Sequence, residues 1–264
     1  MGNLMALTLW RAVRGEIAVA DYNNRIQVFD RNGKFLFKFG SNGNGNGQFK
    51  SPYGVTVDQR NNQIVVADVY NHRVQMFDEK GNFLQVFGSS GSGNGQFSNP
   101  SSVVVDHKGN YVVTDQSNHR IQIFNSQGQV VRKFGSKGEG NGQMIYPIGV
   151  GLLSNENIVV SENEGNRLQI FDFEGNFVRI VGAGQLNYPH HLFVDSDDDI
   201  LVADAGNHCI RVFHQNGNHI KSNGTGKISS PRGVCMDGEG RMIVSEHCTS
   251  RVSVFSEHSS LEYT

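Results

Sequence analysis

The chain has 264 residues, a formal net charge of −2, 18% charged residues and 32 glycines. It is long enough to bury a large core without disulfide or metal staples, and its charge balance excludes the strongly basic character that would by itself argue for a nucleic-acid partner. Three cysteines, Cys209, Cys235 and Cys248, show no C-x-x-C spacing, which fits a reducing, cytoplasmic setting.

In chain order, the opening MGNLMALTLW lacks the basic n-region of a signal peptide. Leu7 and Leu9 alternate before the turn RAVRG and read as a first strand. The phrase NRIQVFDRNGKFLFKFG starts at Asn24. Near copies of it follow, NHRVQMFDEKGNFLQVFG from Asn71 to Gly88 and NHRIQIFNSQGQVVRKFG from Asn118 to Gly135. The phenylalanine of the Q-x-F element falls at Phe29, Phe77, Phe124, Phe171, Phe213 and Phe255, at intervals of 48, 47, 47, 42 and 42 residues. Six copies at this period predict a repeat architecture.

One full copy reads as four short strands. GVTVD (54–58) alternates, QIVVAD (63–68) is a continuous apolar run ended by a carboxylate, and RVQMF (73–77) and NFLQVFG (82–88) alternate. No stretch keeps a helical period over a dozen residues, and no apolar run approaches the roughly 18 residues of a membrane span, so no membrane partner is expected. The turns DEKGN, NSQGQ and DFEGN place Gly81, Gly128 and Gly175 alike, where a hairpin demands a positive φ. The run IVVA is apolar at every position, as in strands buried on both faces. A sheet with a neighbour on each side, repeated six times, predicts an all-β, six-bladed β-propeller of four-stranded antiparallel blades. The expected blades are 1–40, 41–88, 89–135, 136–182, 183–224 and 225–264, with SSLEYT as a last outer strand and closure by blade-to-blade packing.

The recurring phrases PYGVTVD, IVVADVYNHRVQMFD, GNFLQVFG and GSGNGQF carry a family likeness over almost the whole chain. The sequence resembles NHL-repeat propellers, and the flanking phrases look most like the C-terminal NHL domain of TRIM-NHL proteins. The resemblance implies a six-bladed propeller that recognises RNA or protein partners. The RING finger, B-boxes and coiled coil of that family have no counterpart here, which puts any ligase activity outside these residues.

In a propeller, the loops GxGxGQF-x-x-P and ADxxNHR share one rim, and function concentrates on such loops. The residue after each loop proline varies: Tyr53, Ser101, Ile148, His190 and Arg232. These are expected to ring the mouth of the central channel, where tyrosine, histidine and arginine stack on bases and arginine pairs with phosphate. Lys50, Tyr70, Lys137, Tyr146, His191 and Lys227 extend that surface, and Glu139 and Glu164 oppose it electrostatically.

The strand-end carboxylates Asp21, Asp68, Asp115, Glu162, Asp204 and Glu246 recur in every copy, which fits a structural role in bonding their own loops. PHHLFVD places His190 beside His191, but neighbours on one strand are expected on opposite faces, which argues against joint chelation. In the peptidyl-amidating lyases, propellers with similar repeats, zinc is held by three histidines from different blades. Here the positions matching His191 are Gly54, Ser102, Gly149 and Gly233. The glycine-rich GNGNGQF precedes a strand rather than a helix N-terminus, so it reads as a turn and not a phosphate cradle.

The expectation is therefore a recognition module that is not an enzyme, binding single-stranded or stem-loop RNA on its loop face. The alternative is a protein-docking platform that recruits substrates for a ubiquitin ligase. A metal-dependent lyase or hydrolase is disfavoured. No cofactor, metal or small-molecule substrate is expected, and the isolated domain is expected to be a monomer.

Overall fold

The computed structural model describes the backbone of residues 6–11, 15–21, 23–256 and 259–263, and the side chains of 15–21 and 23–255. The fold is an all-β propeller of six blades, each a four-stranded antiparallel sheet whose strands (a to d) follow in chain order. Blade 2 shows the unit: Pro52–Asp58, Gln63–Asp68, Arg73–Phe77 and Phe83–Phe87. The middle strands coincide with the runs expected from sequence. The inner strand begins two residues earlier, at the loop proline.

The a strands of successive blades touch one another in a closed ring, with blade 1 (Ala6–Arg11) completing it against blades 2 and 6. Each blade's first two strands also pack on the next a strand. The apolar run of strand b shows why. Ile64 and Val66 join Ala18, Ala20, Ile26 and Val28 of blade 1, whereas Val65 and Ala67 join Val103, Val113 and Phe124 of blade 3. Successive residues of a strand point to opposite faces, so one tetrapeptide fills two interfaces. Fully burying each isoleucine or valine among them contributes roughly 1.5–3 kcal/mol.

The aromatic repeat forms the outer seal between blades. Phe39 lies against Phe77 with ring centroids 4.8 Å apart, Phe87 against Phe124 at 4.6 Å, and Phe134 against Phe171 at 4.9 Å. Closure uses no shared strand. Blade 1 starts on its inner strand and blade 6 ends on its outer one, Ser259–Tyr263. Ile17 and Val19 of blade 1 pack with Cys235, Ile243 and Val254 of blade 6, and Arg241 Nη2 donates to the Arg31 carbonyl at 2.8 Å.

The inner strands carry a regular irregularity. In blade 5, Pro189 pairs with Asp204 and Leu192 with Val202, so three steps on the inner strand match two on its partner. The same extra residue follows Pro52, Pro100, Pro147 and Pro231. Such a bulge breaks strand alternation and re-aims the side chains beside it.

Candidate functional site

The rim loops are built from the ADxxNHR and GxGxGQF phrases acting on each other. In blade 2, Asp68 is fully buried and accepts from Lys50 N (2.7 Å), Asn71 Nδ2 (2.8 Å) and Arg73 Nε (2.9 Å). Burial raises the Asp68 carboxyl above its ordinary pKa, against the opposing pull of those hydrogen bonds and of the Arg73 charge. Arg73 donates onward to the carbonyls of Asn44, Gly45 and Gln48 at 2.7–2.8 Å, fixing the preceding glycine-rich loop. Asp115 with Arg120, and Glu162 with Arg167, repeat the arrangement. These acids are consumed by their own loops. Among the described residues, no group of three or more His, Cys, Asp or Glu side chains is placed to hold a metal ion.

The histidine position of the rim motif stitches blades together. His72, His119 and His208 sit in the left-handed region, with φ of 53–54°, and close short 3-10 turns. Their Nδ1 atoms accept from Asn99 N (3.2 Å), Tyr146 N (3.2 Å) and Ser230 N (3.0 Å) of the following blade. Asn24 and Asn166 do the same for Ser51 N (2.8 Å) and Tyr188 N (2.7 Å). Asparagine and histidine tolerate a positive φ better than most residues, so the choice serves backbone and bond together.

On the axis, the loop-proline residues separate into two groups. Ser101 turns away from the channel, its hydroxyl donating to the Ile148 carbonyl at 3.0 Å, and Ile148 itself is buried. Tyr53 reaches across from blade 2 to blade 5, where its hydroxyl lies 2.8 Å from His190 Nδ1. Arg232 of blade 6 bonds His190 through Nη1, and Asn163 Nδ2 of blade 4 stands 3.3 Å from His190 Nε2. A guanidinium only donates. Arg232 Nη1 also stands 3.2 Å from His190 Nδ1, so one guanidinium nitrogen faces both ring nitrogens.

His191 corrects the alternation argument. The bulge after Pro189 brings both rings inward, and the His191 ring lies 5.0 Å from that of Tyr53. His190 and His191 are only 5% and 6% exposed. Burial, reinforced by the Arg232 charge, holds His190 well below the usual imidazole range and lowers His191 to about 3. The pair is neutral at physiological pH and lies beneath the surface. It is wall, not platform.

The exposed part of the loop face is different. Tyr70 is 61% exposed, and its amide bonds the Lys50 carbonyl at 3.1 Å, so lysine and tyrosine are neighbours. Tyr146 is half-buried, its ring 4.8 Å edge-on from His119, near Lys137 and Glu164. Burial, then the Lys137 charge, lowers the His119 pKa. Tyr188, not singled out from sequence, is 53% exposed at the position in blade 5 that Tyr146 holds in blade 4. Both have a positive φ, 48° and 49°. Their signal in the sequence is an aromatic residue directly before the loop proline. Lys50, Lys137 and Lys227 are exposed on the same loops, as are Glu139 and Glu164.

Two cavities lie away from this face. One of about 430 Å³ opens between the far ends of the inner strands, lined by Val57, Val105, Leu152 and Val194 with Arg60 and His107. Another of about 510 Å³ lies between blades 5 and 6, lined by Lys221, Asn223, Met236, Met242 and Phe255.

Comparison with known proteins agrees with the architecture. A model of the NHL repeat matches residues 97–124 and 186–213, and a model described as a 6-bladed beta-propeller matches residues 6–74. The chain is thus a six-bladed propeller carrying NHL repeats. No curated protein matches its sequence significantly. Among solved structures, a streptogramin B lyase superposes with a TM-score of 0.74 at 13% identity, over 100% of this chain and 84% of the other. A virginiamycin B lyase from Staphylococcus aureus gives 0.71 at 12% identity, over 99% and 85%. A catalytically inactive variant of the S. aureus enzyme, with quinupristin, gives 0.71 at 14% identity, over 100% and 86%.

At these identities the likeness establishes the fold alone. It nevertheless corrects one expectation. That this chain is not an enzyme does not stand, because propellers of the same shape include lyases and the fold gives no ground for excluding catalysis. The NHL propeller supports a binding or recognition role in general terms. Among the described residues, no helix is long and apolar enough to cross a membrane.

Proposed function

We propose that the loop-rich face binds single-stranded RNA, with Tyr70, Tyr146 and Tyr188 as stacking platforms and Lys50, Lys137 and Lys227 as phosphate contacts. The observation that carries this reading is the pair Tyr146 and Tyr188. Two successive blades present an aromatic ring from the same rim position, each on a left-handed backbone that a bulky residue seldom adopts. The repeat supplies a serine or asparagine there in blades 2, 3 and 6 (Ser51, Asn99 and Ser230), so structure alone does not call for a ring. Bases stack on such rings without regard to sequence. The likeness of the repeat phrases to the NHL domain of TRIM-NHL proteins supports the same ligand.

The contacts named for the axis take a lesser part in this reading, because His190 and His191 are buried. A protein partner is the second reading. It is favoured by the net charge of −2 and by Glu139 and Glu164 on the same rim. Titration of the chain with a random single-stranded RNA pool at several salt concentrations separates the two. Binding that weakens with salt is expected, with a log–log slope growing by about 0.7 per phosphate contact. The triple variant Tyr70→Ala, Tyr146→Ala, Tyr188→Ala should lose about 1–3 kcal/mol per stacked base. No binding at low salt, or binding indifferent to the triple change, would overturn the RNA reading and leave the protein partner.

A further inference from the structure

We propose that the cleft between blades 5 and 6 is a binding site for a small uncharged aromatic molecule that carries one hydrogen-bonding group. The site is separate from the RNA reading, with which it shares only Lys227.

The repeat shows what belongs in this space. The last residue of strand d is Phe39 in blade 1, Phe87 in blade 2 and Phe134 in blade 3. Each pairs with a buried apolar residue of strand c, Ile26, Val74 or Ile121. Each lays its ring against the Q-x-F phenylalanine of the next blade, with centroids 4.6–4.9 Å apart. Blade 4 ends on Val181, which packs with Leu186 and Phe213. Phe77, Phe124, Phe171 and Phe213 are all fully buried. Blade 5 puts Asn223 in the same register, opposite Ile210. Phe255 of blade 6 lacks the ring its counterparts meet and is only half-buried.

The space left is about 510 Å³, within the range of small-molecule pockets. Its floor is apolar. Leu201, Val212 and Met242 are buried, and Met236 and Phe255 are half-buried. Thioethers make favourable contacts with aromatic rings. An apolar cavity left where a large side chain is missing takes up a free ring in its place. The other copies fill this position with a phenylalanine, so the occupant that fits best is aromatic.

Two polar features narrow the ligand further. Among the described residues, the Asn223 amide bonds only the Met242 sulfur, a weak acceptor, at 4.0 Å. A carboxamide both gives and accepts hydrogen bonds, so it can hold one polar group of a ligand. The charges at the edges of the cleft are balanced. Lys221 and Lys227 are matched by Asp195 and Asp199, and the Lys221 charge acts on Asp199. Neither sign is favoured, and a charge pressed against the apolar floor would be costly.

The test titrates the full chain with naphthol, beside its saturated counterpart decahydronaphthol and the charged naphthoate. Calorimetry reads affinity, and NMR of the methionine methyl groups reads place. Saturable binding of naphthol is expected, with a raised melting temperature. Ring-current shifts should appear at Met236 and Met242 and not at Met76 or Met144, which are fully buried between other blades. The saturated and the charged compounds should each bind about tenfold or more weakly. Asn223→Phe restores the ring of the repeat and should weaken naphthol by about tenfold or more while leaving the fold intact. Asn223→Val copies Val181 of blade 4 and serves if the larger change folds poorly, with a weakening of about threefold or more from the lost hydrogen bond. No saturable binding of naphthol, equal binding by wild type and both variants, tighter binding of naphthoate, or shifts confined to methionines outside the cleft would overturn the proposal.

Discussion

The interface between blades 2 and 3 and that between blades 5 and 6 are written from the same repeat and finish differently. In the first, Phe87, Phe97, Phe124 and Tyr111 interlock with centroids 4.6–6.4 Å apart. In the second, register puts Asn223 opposite Ile210, where Phe87 stands opposite Val74. Ile228 replaces the loop phenylalanine, and a cavity of about 510 Å³ remains. The shorter spacing, 42 residues against 47, comes out of the glycine-rich loop. Blade 5 also changes the partner of its carboxylate. Arg73 reaches both the carboxylate and three loop carbonyls, whereas in blade 5 the matching residue is Cys209 and the carboxylate is served by Arg211. Regular copies make scaffold. The departures cluster in blades 5 and 6, which also supply His190, His191 and Arg232.

The largest expected effect breaks the sealed interface. Phe124→Ala should cost about 3–5 kcal/mol, measured by urea denaturation. Phe255→Ala, which faces the existing cavity, should cost less than half as much. Equal losses would mean that the two interfaces are packed alike.

Acid should strike the axis next. The unfolded chain protonates His191 near the ordinary imidazole value of about 6.5, but the folded protein resists until about 3. The unfolded state then binds more protons, so stability is complete above pH 6.5 and declines as pH falls below it. The slope from His191 is at most about 1.4 kcal/mol per pH unit. Subtracting the melting profile of His191→Gly from that of wild type isolates this part, and a flat difference between pH 6.5 and 5 would contradict the burial described.

The smallest effect is a gain. Asn223→Phe restores the repeat and fills the cleft, and should stabilise by about 1 kcal/mol, the size common for cavity-filling changes. Its reciprocal, Phe87→Asn, should destabilise several times more, because it opens a cavity where none exists.

Much of this was legible in the sequence, for a physical reason. Strand alternation and two-sided burial are local patterns, so QIVVAD and RVQMF could be placed to the residue. Asp68, Asp115 and Asp204 could be assigned to their loops because the Asp-x-x-Asn spacing is itself the bonding geometry. The axis was less legible. The bulge that unites His190 and His191 exists only in the pairing of two strands, and Tyr53 meets His190 across 137 residues of chain. His72 and His119 gave no sign that their partners lie in the next blade, since a hydrogen bond to a backbone amide leaves no mark on the partner's side chain. Tyr188 escaped notice because the repeat phrase before it is the shortened one.

The most direct measurement of the central claim, that the loop face binds while the repeat supports, is a hydrogen-exchange footprint of the chain with bound single-stranded RNA. The account predicts protection confined to the rim segments around Lys50, Tyr70, Lys137–Tyr146, Tyr188 and Lys227, with the outer strands unchanged. Protection on the outer strands or around the cavity at the opposite mouth, with the rim unaltered, would contradict it.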